Sequence, residues 1–402
     1  MKKRSIRFVI IVSSLAAFVV IGLEIFLLSG AIAGYFLYQH FNDPVGYYNQ
    51  ALEDENKGDF DKAIDDFSQA IQLDPKYADA YDARGIAYDH KKDLNKAFDD
   101  FSKAIQINPE KAMNYYDRGI VDGEMGKPDN AIADYTQAIQ HDSGMAEAYD
   151  NRGNAYFDKG ELDLSIQNYT QAIQIAPGMA EAFYNRGNAY FDKGVIATAI
   201  QDFTQAIQLS PKNAKPFIAR GNAYISTGAL DKASADLNQA ILLDSKDPDA
   251  HYNLGVVYDQ KENYNTAVAE YALAIQFDPN NFNAYMNLGV DYMKLGKADE
   301  GIKALEKAVM LDRKSAVAFY NRGVAFDTTG DHAQAIADYS TTIKLDPNYV
   351  DAYMNRAILY SEAGMKADAI QDLTQAQKLT QAPEYLKRIQ DLLEQLKTAP
   401  SP

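Results

Sequence analysis

A pattern of small residues returns ten times at an interval of 34 residues, starting from Pro44, without an insertion or deletion. Each block carries Gly, Ala or Ser at its eighth, twentieth and twenty-seventh positions, as in Gly85, Ala97 and Ala104 or Gly187, Ala199 and Ala206; Thr342 is the one larger residue. Aromatic residues recur at the fourth and eleventh positions, such as Tyr81 and Tyr88 or Phe183 and Tyr190. A proline closes many blocks: Pro75, Pro109, Pro177, Pro211, Pro279 and Pro347. A fixed period of this length marks a stacked array of helical hairpins, because one unit cannot bury its apolar face alone and its neighbours complete the core. Apolar spacing within a block predicts two amphipathic helices. Mid-block glycines, among them Gly58, Gly160, Gly228 and Gly330, predict the turn between them. Glycine inside a helix costs about 1 kcal/mol relative to alanine, yet it fills the eighth position of eight blocks. Close approach of the paired helices accounts for what propensity does not.

These positions, recurring together, resemble the tetratricopeptide repeat family over residues 44–383. The resemblance implies an all-α, right-handed superhelical solenoid of ten helix-turn-helix repeats. Their bounds are 44–77, 78–111, 112–145, 146–179, 180–213, 214–247, 248–281, 282–315, 316–349 and 350–383. It also implies protein binding rather than catalysis. Local departures are Gln50 and Asp54 in repeat 1, Asp122 in repeat 3, and Gly301 and Arg313 in repeat 8. Residues 384–402 read as a capping helix, with Leu386, Ile389, Leu392, Leu393 and Leu396 on one face, and a short frayed tail.

The first 43 residues are a different object. Lys2, Lys3, Arg4 and Arg7 precede an apolar run from Phe8 to Tyr38, broken chiefly by Glu24. A helix crosses a bilayer core with roughly 20 apolar residues, so the run predicts one N-terminal transmembrane helix. No Lys or Arg follows until Lys57. Cationic flanks stay in the cytoplasm, which predicts a single-pass inner-membrane protein with its repeats on the periplasmic or extracytoplasmic side. The Asn-Arg-Gly form of the repeats resembles prokaryotic members, hence a bacterial membrane. The alternative is a signal peptide cleaved after Ala31-Ile32-Ala33, which exports the repeats as well. Glu24 reads as a residue reaching the outer headgroups, with a paired intramembrane carboxylate as the alternative.

The formal net charge is −17. No basic stripe suits phosphate, so nucleic acid is not an expected partner. The absence of cysteine removes disulfides, thiolate chemistry and a lipid anchor. The five histidines fall in separate segments, without metal-ligand spacing. No nucleophile elbow, Walker loop or dinucleotide fingerprint occurs. No enzyme, cofactor, metal or small-molecule substrate is expected, and little chain follows the array to hold a catalytic domain.

Comparing the ten copies with one another exposes two correlations. Arg holds the seventh position in seven blocks, from Arg84 to Arg356, and those blocks carry Asp or Asn at the twenty-third. Leu254 and Leu288 are accompanied instead by Glu270 and Ala304. This predicts an Arg–carboxylate bridge within the repeat, structural rather than an anion site. Asn holds the sixth position at Asn151, Asn185, Asn253, Asn287, Asn321 and Asn355, and Asn154, Asn188 and Asn222 stand three residues further on in three repeats. The family's first helices turn this face into the groove. The series resembles the asparagine ladder of the O-linked N-acetylglucosamine transferase repeat domain, which implies a grip on an extended peptide backbone. Capping or solvated asparagines are the alternative. Acids including Asp79, Asp82, Asp89, Glu124, Asp150 and Glu181 lie at groove positions of repeats 2–5, where the cations are Lys215 and Lys294 further along. The expected partner is a neutral-to-basic extended segment, not the terminal carboxylate held by chaperone-adaptor relatives. Tyr48, Tyr116, Tyr184, Tyr252 and Tyr320 alternate at the fifth position and could stack on a ligand. The expected function is a membrane-anchored interaction scaffold or assembly factor. The alternative is an accessory subunit of an envelope enzyme or exporter, docking through its membrane helix.

Overall fold

Two short helices joined by a three-residue turn must fold back on each other, and this happens in every repeat. The computed structural model describes residues 43–398, whose regular structure is wholly α-helical. The basic tip, the apolar run with Glu24, the candidate cleavage site and residues 399–402 lie outside the described residues. Among the described residues no helix is long and apolar enough to cross a membrane.

Residues up to Pro177 and residues from Gly178 onward form two compact units. In the first unit the helices are α1 (Pro44–Asn56), α2 (Phe60–Leu73), α3 (Ala78–His90), α4 (Leu94–Ile107), α5 (Ala112–Glu124), α6 (Pro128–His141), α7 (Ala146–Asp158) and α8 (Leu162–Ile175). The second unit begins with α9 (Ala180–Asp192), α10 (Ile196–Leu209), α11 (Ala214–Ser226), α12 (Leu230–Leu243), α13 (Pro248–Gln260) and α14 (Tyr264–Phe277). It continues through α15 (Phe282–Lys294), α16 (Ala298–Leu311), α17 (Ala316–Thr328), α18 (His332–Leu345), α19 (Val350–Glu362), α20 (Lys366–Leu379) and α21 (Pro383–Thr398). Within each unit every helix packs on the next in sequence, and first helices of neighbouring repeats also touch.

The small residues sit where helices meet. A Cβ on Gly85 would lie 2.8 Å from the Phe101 ring, and one on Gly187 would lie 2.6 Å from Phe203. Glycine at the eighth position therefore makes room for the large side chain of the paired helix. Phe101, Tyr169, Phe203 and Tyr271 are fully buried there, each worth roughly 1.5–3 kcal/mol of transfer free energy. The turn glycines have φ between 71° and 82°, the left-handed region that L-residues avoid. Lys92 (φ 60°) and Glu262 (φ 58°) occupy the same place in repeats 2 and 7. Ile389 and Leu396 of α21 close the far end against Met354 and Leu373.

The Arg–Asp correlation is a bidentate bridge. Arg84 donates from Nε and Nη2 to Asp100 at 2.7 and 2.8 Å. Arg118–Asp134, Arg220–Asp236, Arg322–Asp338 and Arg356–Asp372 repeat it. Arg152 donates to Asn168 at 2.8 Å. The remaining guanidinium nitrogen does something the correlation did not reveal. Arg84 Nη1 reaches Ser68 of the preceding repeat at 2.9 Å, Arg220 Nη1 reaches Thr204 at 2.9 Å, and Arg356 Nη1 reaches Ser340 at 2.8 Å. One side chain thus joins three helices. Where Leu254 replaces the arginine, Glu270 is taken by His251 at 2.8 Å instead.

Candidate functional site: the first-helix face

The asparagine series lies at the sixth and ninth positions of the first helices, beside fifth-position rings that pack on the paired helix, as Tyr116 does on Tyr135 and Tyr184 on Phe203. Its members are not equivalent. Asn151 on α7 donates to the Tyr116 hydroxyl at 3.1 Å, and Asn355 on α19 donates to Tyr320 at 3.1 Å. Asn287 on α15 lies 3.5 Å from the Tyr252 hydroxyl and 3.3 Å from that of Tyr271. The contacts to Tyr116, Tyr252 and Tyr320 join the sixth position of one repeat to the fifth of the repeat before, and that to Tyr271 joins it to the second helix of that repeat. Asn154 accepts from Tyr169 at 2.8 Å. These tyrosine hydroxyls serve the protein's own frame. Asn185 and Asn321 are half-buried on α9 and α17. Asn49, exposed on α1, also holds the sixth position and was missed in the series.

Asn188, Asn222 and Asn253 differ from the rest. Together they line a hollow of about 490 Å³ among α9, α11 and α13, with Tyr184, Phe191, Ile218 and Tyr252 as its apolar wall and Lys215 and Asp249 at its edge. Their amides make no side-chain hydrogen bond among the described residues. A second hollow, of about 370 Å³ in the first unit, is lined by Asn151, Asn154, Glu124 and Asp158. There both asparagines are already engaged.

The acids of repeats 2 and 3 are also less available than their number suggests. Lys111, in the turn before α5, bonds Asp79 at 2.8 Å and Asp82 at 2.9 Å. Lys92, in the turn after α3, bonds Glu124 at 2.9 Å and Asp89 at 3.4 Å. Counting only first-helix positions overlooked both lysines. Asp82 on α3 and Asp117 on α5 stand at the fifth and sixth positions of successive repeats, the places that Tyr116 and Asn151 hold one repeat later. Burial first, then the charge of Asp82, pushes the Asp117 carboxyl up to about 7, against the pull of Lys111. Asp150 is 3% exposed on α7, so a role as a solvated acid attracting a partner is not open to it. Glu181 is exposed on α9. Lys294 is held by Asp259 at 2.6 Å and Asp291 at 3.0 Å. Lys215 is exposed and has no ion pair among the described residues. Among the described residues no group of His, Asp or Glu could hold a metal ion.

Comparison with known proteins matches this architecture. A model described as TPR repeat matches residues 56–89, 153–194, 187–226, 221–261 and 258–296. Models described as tetratricopeptide repeat match 78–111, 282–315, 316–349 and 339–371. Among solved structures, MamA is 28% identical, with 40% of this chain and 95% of that one covered and a TM-score of 0.37. YrrB, described as a TPR protein with an unusual peptide-binding site, is 24% identical, with 46% and 95% covered and a TM-score of 0.39. A tetratricopeptide repeat protein from Parabacteroides merdae is 20% identical, with 63% and 99% covered and a TM-score of 0.46. No curated protein sequence matches the chain. With the repeat period, the glycine-to-ring contacts and family matches in most repeats, the chain belongs to the tetratricopeptide repeat family.

Proposed function

We propose that this chain is a scaffold for protein–protein interaction that takes an extended peptide segment into the hollow of repeats 5–7. The observation that carries this reading is the convergence of Asn188, Asn222 and Asn253, unpaired, on one partly apolar concavity. An asparagine amide offers a donor end and an acceptor end, which suits a peptide unit and is indifferent to side chains. Three such bonds at about 0.5–1.5 kcal/mol each supply at most about 4.5 kcal/mol, which is roughly millimolar binding. Apolar burial on Tyr184, Phe191, Ile218 and Tyr252 has to supply the rest. The acidic balance of the chain favours a neutral-to-basic segment. In this reading the repeats wind as a right-handed superhelix, anchored by the N-terminal apolar run at the outer face of a bacterial inner membrane.

Site-specific crosslinking from the hollow in intact membranes tests the reading. Asn188→Ala/Asn222→Ala/Asn253→Ala should lose the crosslinked partner while keeping its helicity. Equal capture by this variant and the wild type would refute it. A C-terminal alkaline phosphatase fusion should be active if the repeats lie outside the cytoplasm. Glu24, a carboxylate inside the apolar run, favours a second reading in which the chain is an accessory subunit of an envelope enzyme or exporter. Deleting residues 1–43 separates the two, since only the scaffold keeps its partner.

A further inference from the structure

An ordered set of charges runs along the first helices that form this hollow. Glu181, Lys215 and Asp249 hold the second position of three successive first helices, α9, α11 and α13, so acid, base and acid follow at one-repeat intervals. All three are exposed, and among the described residues none makes an ion pair or a side-chain hydrogen bond. The contrast with two other lysines is marked: Lys111 and Lys294 each sit between two carboxylates, whereas Lys215 has none among the described residues. Lys215 and Asp249 line the hollow itself. Desolvation, then the charges of Asp247 and Asp278, raises the Asp249 carboxyl above its ordinary value. Asp247 is occupied otherwise, since its side chain caps α13 through the Ala250 N–H.

We propose that the segment received here bears a basic side chain against Glu181, an acidic one against Lys215 and a basic one against Asp249, with an apolar residue seated on Ile218 and Phe191. This refinement rests on the peptide-binding reading above. Helices in contact lie about 8–10 Å apart and an extended chain advances about 3.3 Å per residue, so the three charges fall about three residues apart. The set sums to a single positive charge, so what the site reads is the order of charges rather than basicity alone. An all-basic segment would place a cation against Lys215, and like charges in juxtaposition are a means of rejecting wrong partners.

Capped, fluorescein-labelled Gly-Ser peptides carrying one Leu test this by anisotropy with the detergent-solubilised full chain at low salt. Their charged positions, about three residues apart, are Lys-Glu-Lys, Lys-Lys-Lys or Glu-Lys-Glu. The wild type should bind Lys-Glu-Lys about fivefold tighter than all-Lys, and more than about tenfold tighter than Glu-Lys-Glu, as expected for one to three exposed ion pairs. Lys215→Glu should reverse the order of the first two peptides, and Asp249→Lys should weaken Lys-Glu-Lys. The preferences should shrink as salt is raised. A wild type that prefers all-Lys, or a Lys215→Glu variant with unchanged order, overturns the proposal while peptide binding stands. If the triple asparagine variant binds every peptide as the wild type does, or the wild type binds none, the peptide-binding reading fails instead and the charge order falls with it.

Discussion

Asn151 and Asn253 hold the same position in their repeats and do different work. In the first unit Asn151 is spent on Tyr116, Asn154 on Tyr169, and the acids of repeats 2 and 3 on Lys92 and Lys111. That face is tied to itself. In repeats 5–7 of the second unit the residue one repeat before Asn253 is Ile218, which offers no hydroxyl, and the neighbouring Asn188 and Asn222 are likewise open. Equivalent positions therefore carry either internal cross-links or free recognition groups: at the sixth position the choice follows the residue 35 upstream, and at the ninth the residue 15 downstream, Tyr169 for Asn154 but Phe203 for Asn188 and Leu237 for Asn222. The framework beneath is shared by both units: Arg84–Asp100 in one and Arg220–Asp236 in the other have the same geometry.

Breaking the shared framework should give the largest effect. Arg220→Leu leaves Asp236, 8% exposed, buried without its cation, and should destabilise by about 3–5 kcal/mol in urea denaturation. Adding Asp236→Ala should recover much of that, since the pair then matches Leu288 and Ala304 of repeat 8. Strict additivity would mean that the two side chains do not interact.

The next effect belongs to the first unit alone. The Asp117 carboxyl, at 3.8 ordinarily, stands at about 7 in the folded protein. A raised value means the folded state holds the proton more tightly. The associated stability is fully present below about pH 4 and is lost as pH rises through about 7, amounting to on the order of 2–4 kcal/mol. Asp117→Asn should remove this dependence and be the more stable protein at pH 8. A stability difference between variant and wild type that does not change with pH would place Asp117 in water. Carbon-13 NMR of the carboxyl gives the titration directly.

Exchanging asparagines sharpens the contrast further. Asn151→Ala should cost about 1 kcal/mol of stability and leave partner capture intact. Asn188→Ala/Asn222→Ala/Asn253→Ala should do the reverse: an unchanged denaturation midpoint and at least a tenfold loss of affinity, about 1.4 kcal/mol. Binding loss from Asn151→Ala alone would move the site to the other unit. The smallest effect concerns the two turns without glycine. Glu262→Gly relieves a left-handed residue whose side chain has no partner among the described residues, for a gain of about 0.5–1 kcal/mol. Lys92→Gly should gain less, because Lys92 also bonds Glu124.

Much of the fold was legible because each repeat is an independent reading of the same physics. Gly85, Gly153 and Gly187 announced the close contacts now seen against Phe101, Tyr169 and Phe203, and the Arg–Asp pairing could be inferred from where it fails. The third arginine contact was equally available, since Ser68, Ser102 and Thr136 recur at one position and Asn238 and Ala272 stand there where the following arginine is lost. It required pairing residues across repeats rather than within them. The candidate site was less legible for the same reason. Whether Asn287 or Asn355 is free depends on hydroxyls of the repeat before, Tyr252 and Tyr271 for the first and Tyr320 for the second, and the alternating tyrosines were read as rings that could stack on a ligand. Nor does a count of first-helix charges see Lys111, which lies in a turn.

The arginine that joins three helices also bears on how such a chain can change in length. Its donors and its acceptors, Asp within the repeat and Ser or Thr in the one before, sit at the same places in repeats 2, 3, 6 and 10. Gaining or losing a whole 34-residue copy among such repeats, by recombination between like segments, hands a guanidinium an equivalent set of partners. A change of any other size strands a buried charge. Residues 151–160 and 185–194 are identical in sequence, which is the kind of match along which whole copies are exchanged. The seam thereby acts as a ruler: it lets the array grow and shrink over generations, but only in whole steps.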